Sequence, residues 1–169
     1  TDDNTEITGT SGATFTSIGD GDDHIIEVNA DGVTISELSI SGSNSFYTTT
    51  SADQAVVHTS DGIAGTQISN VAIDGVDQST GAVLDLDAGG DLDILNNTFA
   101  AQTNNDGQAI RIDDNGDNLP SGAAIIVKNN TINVNDDTAI ELVNAQESEA
   151  SVTIESNDAN PIIGSTSSG

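Results

Sequence analysis

The sequence predicts an all-β fold, a right-handed parallel β-helix (β-solenoid) of about six coils. Three observations predict it. Two short strand patterns recur along the chain at one mean period, each alternates apolar and polar residues, and each ends on residues suited to a sharp corner. A repeat of roughly 20–50 residues holding several short strands is the mark of a solenoid, in which each repeat buries its apolar face only against its neighbours.

The first pattern occurs as IIEVNADG (25–32), VVHTSDG (56–62), VLDLDAGG (83–90), AIRIDDNG (109–116) and AIELVNAQ (139–146). Its second residues, Ile26, Val57, Leu84, Ile110 and Ile140, are 31, 27, 26 and 30 residues apart. The second pattern follows each time: VTISELSI (33–40), TQISNVAI (66–73), LDILNNTF (92–99), IVKNNTI (126–132) and VTIESNDA (152–159). Here Ile35, Ile68, Ile94, Val127 and Ile154 align, at spacings of 33, 26, 33 and 27. The segment ITGTSGATF (7–15) reads as a degraded earlier coil. The resulting coils run over about 5–24, 25–54, 55–81, 82–108, 109–138 and 139–160, with a tail at 161–169, all in one domain.

Within a strand, side chains alternate between faces, so pairs such as Ile26/Val28, Leu84/Leu86 and Ile110/Ile112 face inward. Asp31-Gly32, Asp61-Gly62, Gly89-Gly90 and Asn115-Gly116 close the first strand, where Gly and Asn tolerate positive φ. A second corner falls at Asn96-Asn97, Asn129-Asn130 and Ser156-Asn157. Stacked strands lie roughly 4.8 Å apart, so equivalent Asn amides can hydrogen-bond along the axis. Leu38 and Val71 occupy that column in earlier coils, which confines the amide ladder to the C-terminal half.

The pattern seen as LDILNNTF and IIVKNNTI resembles the right-handed parallel β-helix family that includes pectate lyases, polygalacturonases and many surface proteins. The resemblance covers about residues 5–160 and implies the fold. It implies no activity, since this architecture hosts many functions and no catalytic motif of the enzyme members stands in the chain.

Composition narrows the function. Only 34% of residues are apolar and 2% aromatic, so the core is thin and aliphatic. Acidic residues number 28 against two cations, Arg111 and Lys128, for a net charge of −26. Such a charge opposes binding to nucleic acid or anionic membranes. It also opposes polyanionic glycans unless metal ions bridge the charges. Adaptation to strong salt, where the Debye length shrinks to about 3 Å at 1 M, is one source of such acidity; binding of divalent cations such as calcium is the other. There is no cysteine, hence no disulfide or thiolate zinc site, and no run of 18 apolar residues to span a membrane. A chain opening on Thr1 without a leader suits a processed extracellular protein or an excised piece.

Candidate sites follow from charge and from insertions. The outward column of the first strand reads Glu27, His58, Asp85, Arg111, Glu141, and Lys128 faces Glu155 in the second. Charge pairing between neighbouring rungs accounts for both, at about 0.2–1 kcal/mol per pair. No residue is assigned a catalytic role, because each cation already has an acidic neighbour and no nucleophile–base pair stands out. For calcium, the candidates are Asp20, Asp22 and Asp23 in GDGDD (19–23), Asp87 and Asp91 beside Asp93 at one corner, and Asp113, Asp114 and Asp117 at the next. Stacked carboxylates repel unless protonated or metal-bound, and hard oxygen ligands suit calcium. Phe46 and Tyr47, in the insertion SNSFYTTTSADQ (43–54), are the candidates for lateral glycan recognition. Asn96 and Asn129 each open an Asn-x-Thr glycosylation sequon at a tight corner.

The expected function is that of a non-enzymatic extracellular structural protein, a β-solenoid subunit of a surface filament or a module of a surface adhesin. Its expected partner is a further copy or module docked end to end, with surface glycans as possible ligands, no nucleic acid and no membrane insertion. The alternatives are a polysaccharide lyase or glycoside hydrolase using the acidic corners, and a calcium-dependent carbohydrate-binding module.

Overall fold

A computed structural model describes residues 6–8, 14–16, 24–41, 48–49, 55–74, 77–78, 82–100, 108–113, 122–133, 138–143, 151–160 and 163–166. These residues form a parallel β-solenoid built of three sheets of six strands each. The first sheet stacks β1 (Glu6–Thr8), β4 (Thr34–Ser36), β8 (Thr66–Ser69), β12 (Leu92–Leu95), β15 (Ala124–Lys128) and β18 (Ser151–Glu155). The second stacks β2 (Thr14–Thr16), β5 (Ser39–Ser41), β9 (Ala72–Asp74), β13 (Thr98–Ala100), β16 (Thr131–Asn133) and β19 (Asp158–Asn160). The third stacks β3 (Ile26–Val28), β7 (Ala55–Ile63), β11 (Ala82–Ala88), β14 (Ile110–Asp113), β17 (Ile140–Val143) and β20 (Ile163–Thr166). A separate pair, β6 (Thr48–Thr49) and β10 (Asp77–Gln78), lies outside them. The windings 24–41, 55–74 and 82–100 are described without interruption, each passing from the third sheet to the first and then the second.

Both recurrent columns stack in register. Ile26, Val57, Leu84, Ile110 and Ile140 pair rung to rung in the third sheet. Ile35, Ile68, Ile94, Val127 and Ile154 do so in the first. A third column, Ile40, Ile73, Phe99 and Ile132, comes from the second sheet. These belong to one continuous apolar cluster, with Ile154 packed at its margin. Burying each such aliphatic side chain contributes about 1.5–3 kcal/mol, which lets a core with few aromatics hold the stack together. The second sequence pattern thus supplies two strands, with the corner between them two residues after the aligned Ile or Val.

That corner has one backbone solution throughout. Glu37, Asn70, Asn96, Asn129 and Ser156 all adopt the left-handed conformation, with φ between 54° and 57°. Asn is the non-glycine residue best suited to it, because its short amide bonds locally. Glycine serves two different needs at the end of β7 and at the corner after β11. Gly62 takes φ of 76° with open space around it, whereas a Cβ on Gly89 would sit 2.1 Å from the Gly62 carbonyl carbon. Gly89 is therefore demanded by the close approach of two coils, which its N–H cements by donating to the Ile63 carbonyl at 2.8 Å.

Candidate functional site

Two polar features stand out against this scaffold: a buried amide ladder at the second corner and a charged stripe on the third sheet. In the ladder, Asn97 Nδ2 donates to Asn130 Oδ1 at 3.0 Å, and Asn130 Nδ2 donates to Asn157 Oδ1 at 2.9 Å. Each amide also reaches back one rung, Asn97 to the Ile68 carbonyl, Asn130 to that of Ile94 and Asn157 to that of Val127. Each oxygen in turn accepts a backbone N–H from the rung before: Val71 to Asn97, Asn97 to Asn130, Asn130 to Asn157. Asn97 and Asn130 are each 1% exposed, so a buried amide is tolerated because nearly every donor and acceptor it carries is used. A looser outer row runs beside it, with Asn129 Nδ2 on Asn96 Oδ1 and Asn70 Nδ2 on Glu37 Oε1. The two sequon asparagines, Asn96 and Asn129, are exposed.

The ladder has a direction. Each N–H in the column looks toward the next coil, and at the last rung Asn157 offers its N–H and its second amide hydrogen with no acceptor among the described residues. Alongside it, β18 is exposed over most of its length, with Val152 39% exposed and Ile154 half-buried.

The charged stripe follows the register expected for it: Glu27 opposite His58, His58 opposite Asp85, Asp85 opposite Arg111, Arg111 opposite Glu141. Arg111 grips Asp85 at 2.7 Å on the neighbouring coil and Asp113 at 2.5 Å on its own strand. Both aspartates are only 5% exposed. Burial pulls the Arg111 guanidinium down, but the hydrogen bond and charge of Asp85, with Asp113 and Glu141, more than offset it and hold it above its usual range. Lys128 pairs with Glu155 across β15 and β18, both well exposed.

His58 does not pair tightly with either register neighbour. Its ring stacks on His24 at 4.1 Å between centroids, and its Nε2 lies 3.9 Å from Asp87 Oδ2. Its buried Nδ1 has no hydrogen-bond partner among the described residues. Burial, then the neighbouring His24, hold the His58 imidazole below its usual value despite Asp85, Glu27 and Asp61. His24 is fixed by the Ala55 N–H, which donates to its Nδ1 at 3.2 Å. This stack leaves no mark in the repeat, because His24 lies three residues ahead of the stripe's column.

The corner acids are divided by the fold. Asp87 and Asp113 are register partners on β11 and β14. Asp91 instead lies on the far side of the corner, where its Oδ1 accepts the Ala124 N–H at 2.9 Å. Together with Asp93 it borders a surface pocket of about 200 Å³ that Gly65, Thr66, Gln67 and Leu92 also line. Burial, with Asp91 beside it, raises the Asp93 carboxyl above its ordinary value. Asp87 is pushed up to about 7, first by burial, then by a hydrogen bond to Asp61 and the charges of Asp85, Asp61 and Asp113. Among the described residues no three His, Asp or Glu side chains are grouped to hold a metal ion. The other calcium candidates, Asp20, Asp22, Asp23, Asp114 and Asp117, and the aromatic pair Phe46 and Tyr47 lie outside the described residues.

No family model, curated protein or solved structure matches the chain. The class defined by its geometry is the parallel β-solenoid.

Proposed function

We propose that the chain is a non-enzymatic structural β-solenoid of the extracellular surface, a filament subunit or adhesin module whose end rungs are continued by further coils. On this reading it is a member of the right-handed, pectate-lyase-like β-helix superfamily that works by its shape. The observation that carries the proposal is the last rung of the amide ladder, where Asn157 presents two donors and β18 presents an exposed apolar margin. Unpaired strand edges recruit partners, and the half-buried Asn157 donors are met better by a docked coil than by solvent alone. A coil laid on this end would meet them, and head-to-tail contacts that do not close into a ring make filaments.

Charge opposes such stacking, since every copy brings −26. Assembly should therefore strengthen with salt, which shortens the Debye length to about 3 Å at 1 M. Electron microscopy of the protein in high salt, with and without calcium, tests the proposal. Fibres with a solenoid repeat are expected. Monomeric particles in every condition, with both ends capped by the chain's own loops, would overturn it. Fibres in sodium chloride alone assign the effect to screening; fibres only with calcium assign it to bridging carboxylates. Turnover of a polysaccharide that disappears on Asp85→Ala or Asp113→Ala would replace this reading with a hydrolase or lyase.

A further inference from the structure

The second corner carries two rows of asparagine, and their hydrogen bonds separate them. An asparagine amide has two hydrogens to donate. Asn97 uses both, on the Ile68 carbonyl and on Asn130 Oδ1. Asn130 uses both, on the Ile94 carbonyl and on Asn157 Oδ1. In the outer row Asn129 uses one, on Asn96 Oδ1 at 3.3 Å, and the Asn96 amide donates to nothing among the described residues. Each outer asparagine therefore has a hydrogen to spare, and the two ladder asparagines have none.

The outer amides are also the ones the surface offers. Asn96 and Asn129 are exposed, at φ of 56° and 57°, whereas Asn97 and Asn130 are buried. Two residues on, Thr98 and Thr131 are register partners on β13 and β16, and both are exposed. The Asn-x-Thr frame thus falls on the exposed asparagine in both coils. Counted from the ladder asparagines, the third residue is the buried Phe99 or Ile132, and no sequon results. At the Asn70 corner the third residue is Ala72, which has no hydroxyl.

We propose that the outer side of this corner is an N-glycosylation edge, with Asn96 and Asn129 as the acceptors. The inference rests on the extracellular reading, since such glycans are added to chains that leave the cytoplasm. In the transfer, Asn Nδ2 forms a bond to the anomeric carbon of an oligosaccharide carried on a lipid pyrophosphate. The bond from that carbon to the pyrophosphate oxygen breaks, the lipid pyrophosphate leaves, and the amide gives up one hydrogen as a proton. The corner tolerates that loss, because Asn129 keeps its other hydrogen for Asn96 Oδ1. The same change at Asn97 or Asn130 would remove a ladder bond and force a sugar into the core. Glycans at Asn96 and Asn129 stand on the flank between the first and second sheets, so the end rungs stay open to another coil.

Intact mass and peptide mapping of the protein from its natural source, combined with cell fractionation, test this. The expected result is a surface-exposed chain with two glycans, one on Asn96 and one on Asn129. Thr98→Val and Thr131→Val keep strand-forming residues and should each remove one glycan mass, whereas Thr153→Val should remove none. Peptides of the wild-type chain locate the sugars even if a variant fails to fold. A surface-exposed chain of unmodified mass, or a glycan on Asn97 or Asn130, would overturn the proposal and leave the extracellular reading standing. An unmodified chain confined to the cytoplasm would overturn both.

Discussion

The same corner column is filled in two ways along the solenoid. In the first two complete windings it holds Leu38 and Val71, at 3% and 1% exposure; in later ones it holds Asn97 and Asn130, both at 1%, and then Asn157. Burial is equal, but the means of stabilisation differ. An aliphatic side chain loses apolar contact area when altered and leaves nothing unpaired. A ladder amide is one link in a chain of mutual hydrogen bonds, so removing it leaves its neighbours on both sides with unmet groups. The aliphatic half is forgiving and the amide half is specific. Only the amide half dictates what a coil laid on it would have to offer, namely an oxygen acceptor above Asn157.

The largest contrast should come from breaking the ladder at its centre. Asn130→Leu orphans the Asn97 N–H and the Ile94 carbonyl, among others, and should destabilise the fold by about 3 kcal/mol or more in denaturant titration. The converse change, Val71→Asn, should cost only about 1 kcal/mol. The lost transfer energy is offset when the new amide reaches the Ile35 carbonyl and the Leu38 N–H, as Asn97 reaches its own neighbours. Equal losses from these two variants would erase the distinction between the halves. Glu37→Asn should raise stability by about 0.5–1 kcal/mol, since Asn accepts the left-handed backbone better and can pair with Asn70 as Asn96 does with Asn129. Lys128→Ala should matter least, by about 0.5 kcal/mol, because its pair with Glu155 is exposed to solvent and salt.

The ladder was legible in the sequence because a fixed repeat turns spacing into stacking: Asn97, Asn130 and Asn157 share one place in the second pattern. The stripe from Glu27 to Glu141 was legible for the same reason. Features that break the repeat were not. The Ser60-Asp61-Gly62 bulge hides inside an ordinary spacing, so nothing signalled that three residues of β7 stand opposite the single residue Asp87. The acids between 87 and 93 read as one corner, yet β11 ends at Ala88 and β12 begins at Leu92, which puts Asp87 inside the third sheet and Asp91 in the turn just ahead of the first. The His24–His58 stack joins residues from unlike positions in their coils and leaves no periodic trace.

The claim that the ladder's last rung awaits another coil is tested most directly at one amide. Hydrogen exchange of Asn97, Asn130 and Asn157 should be followed in the monomer at low salt and in assemblies grown at high salt. In the monomer, Asn97 and Asn130 should be strongly protected and Asn157 should exchange rapidly. In the assembly, the Asn157 N–H should slow to the level of the other two. An Asn157 amide that is protected already in the monomer, or that stays fast in the assembly, would contradict the account.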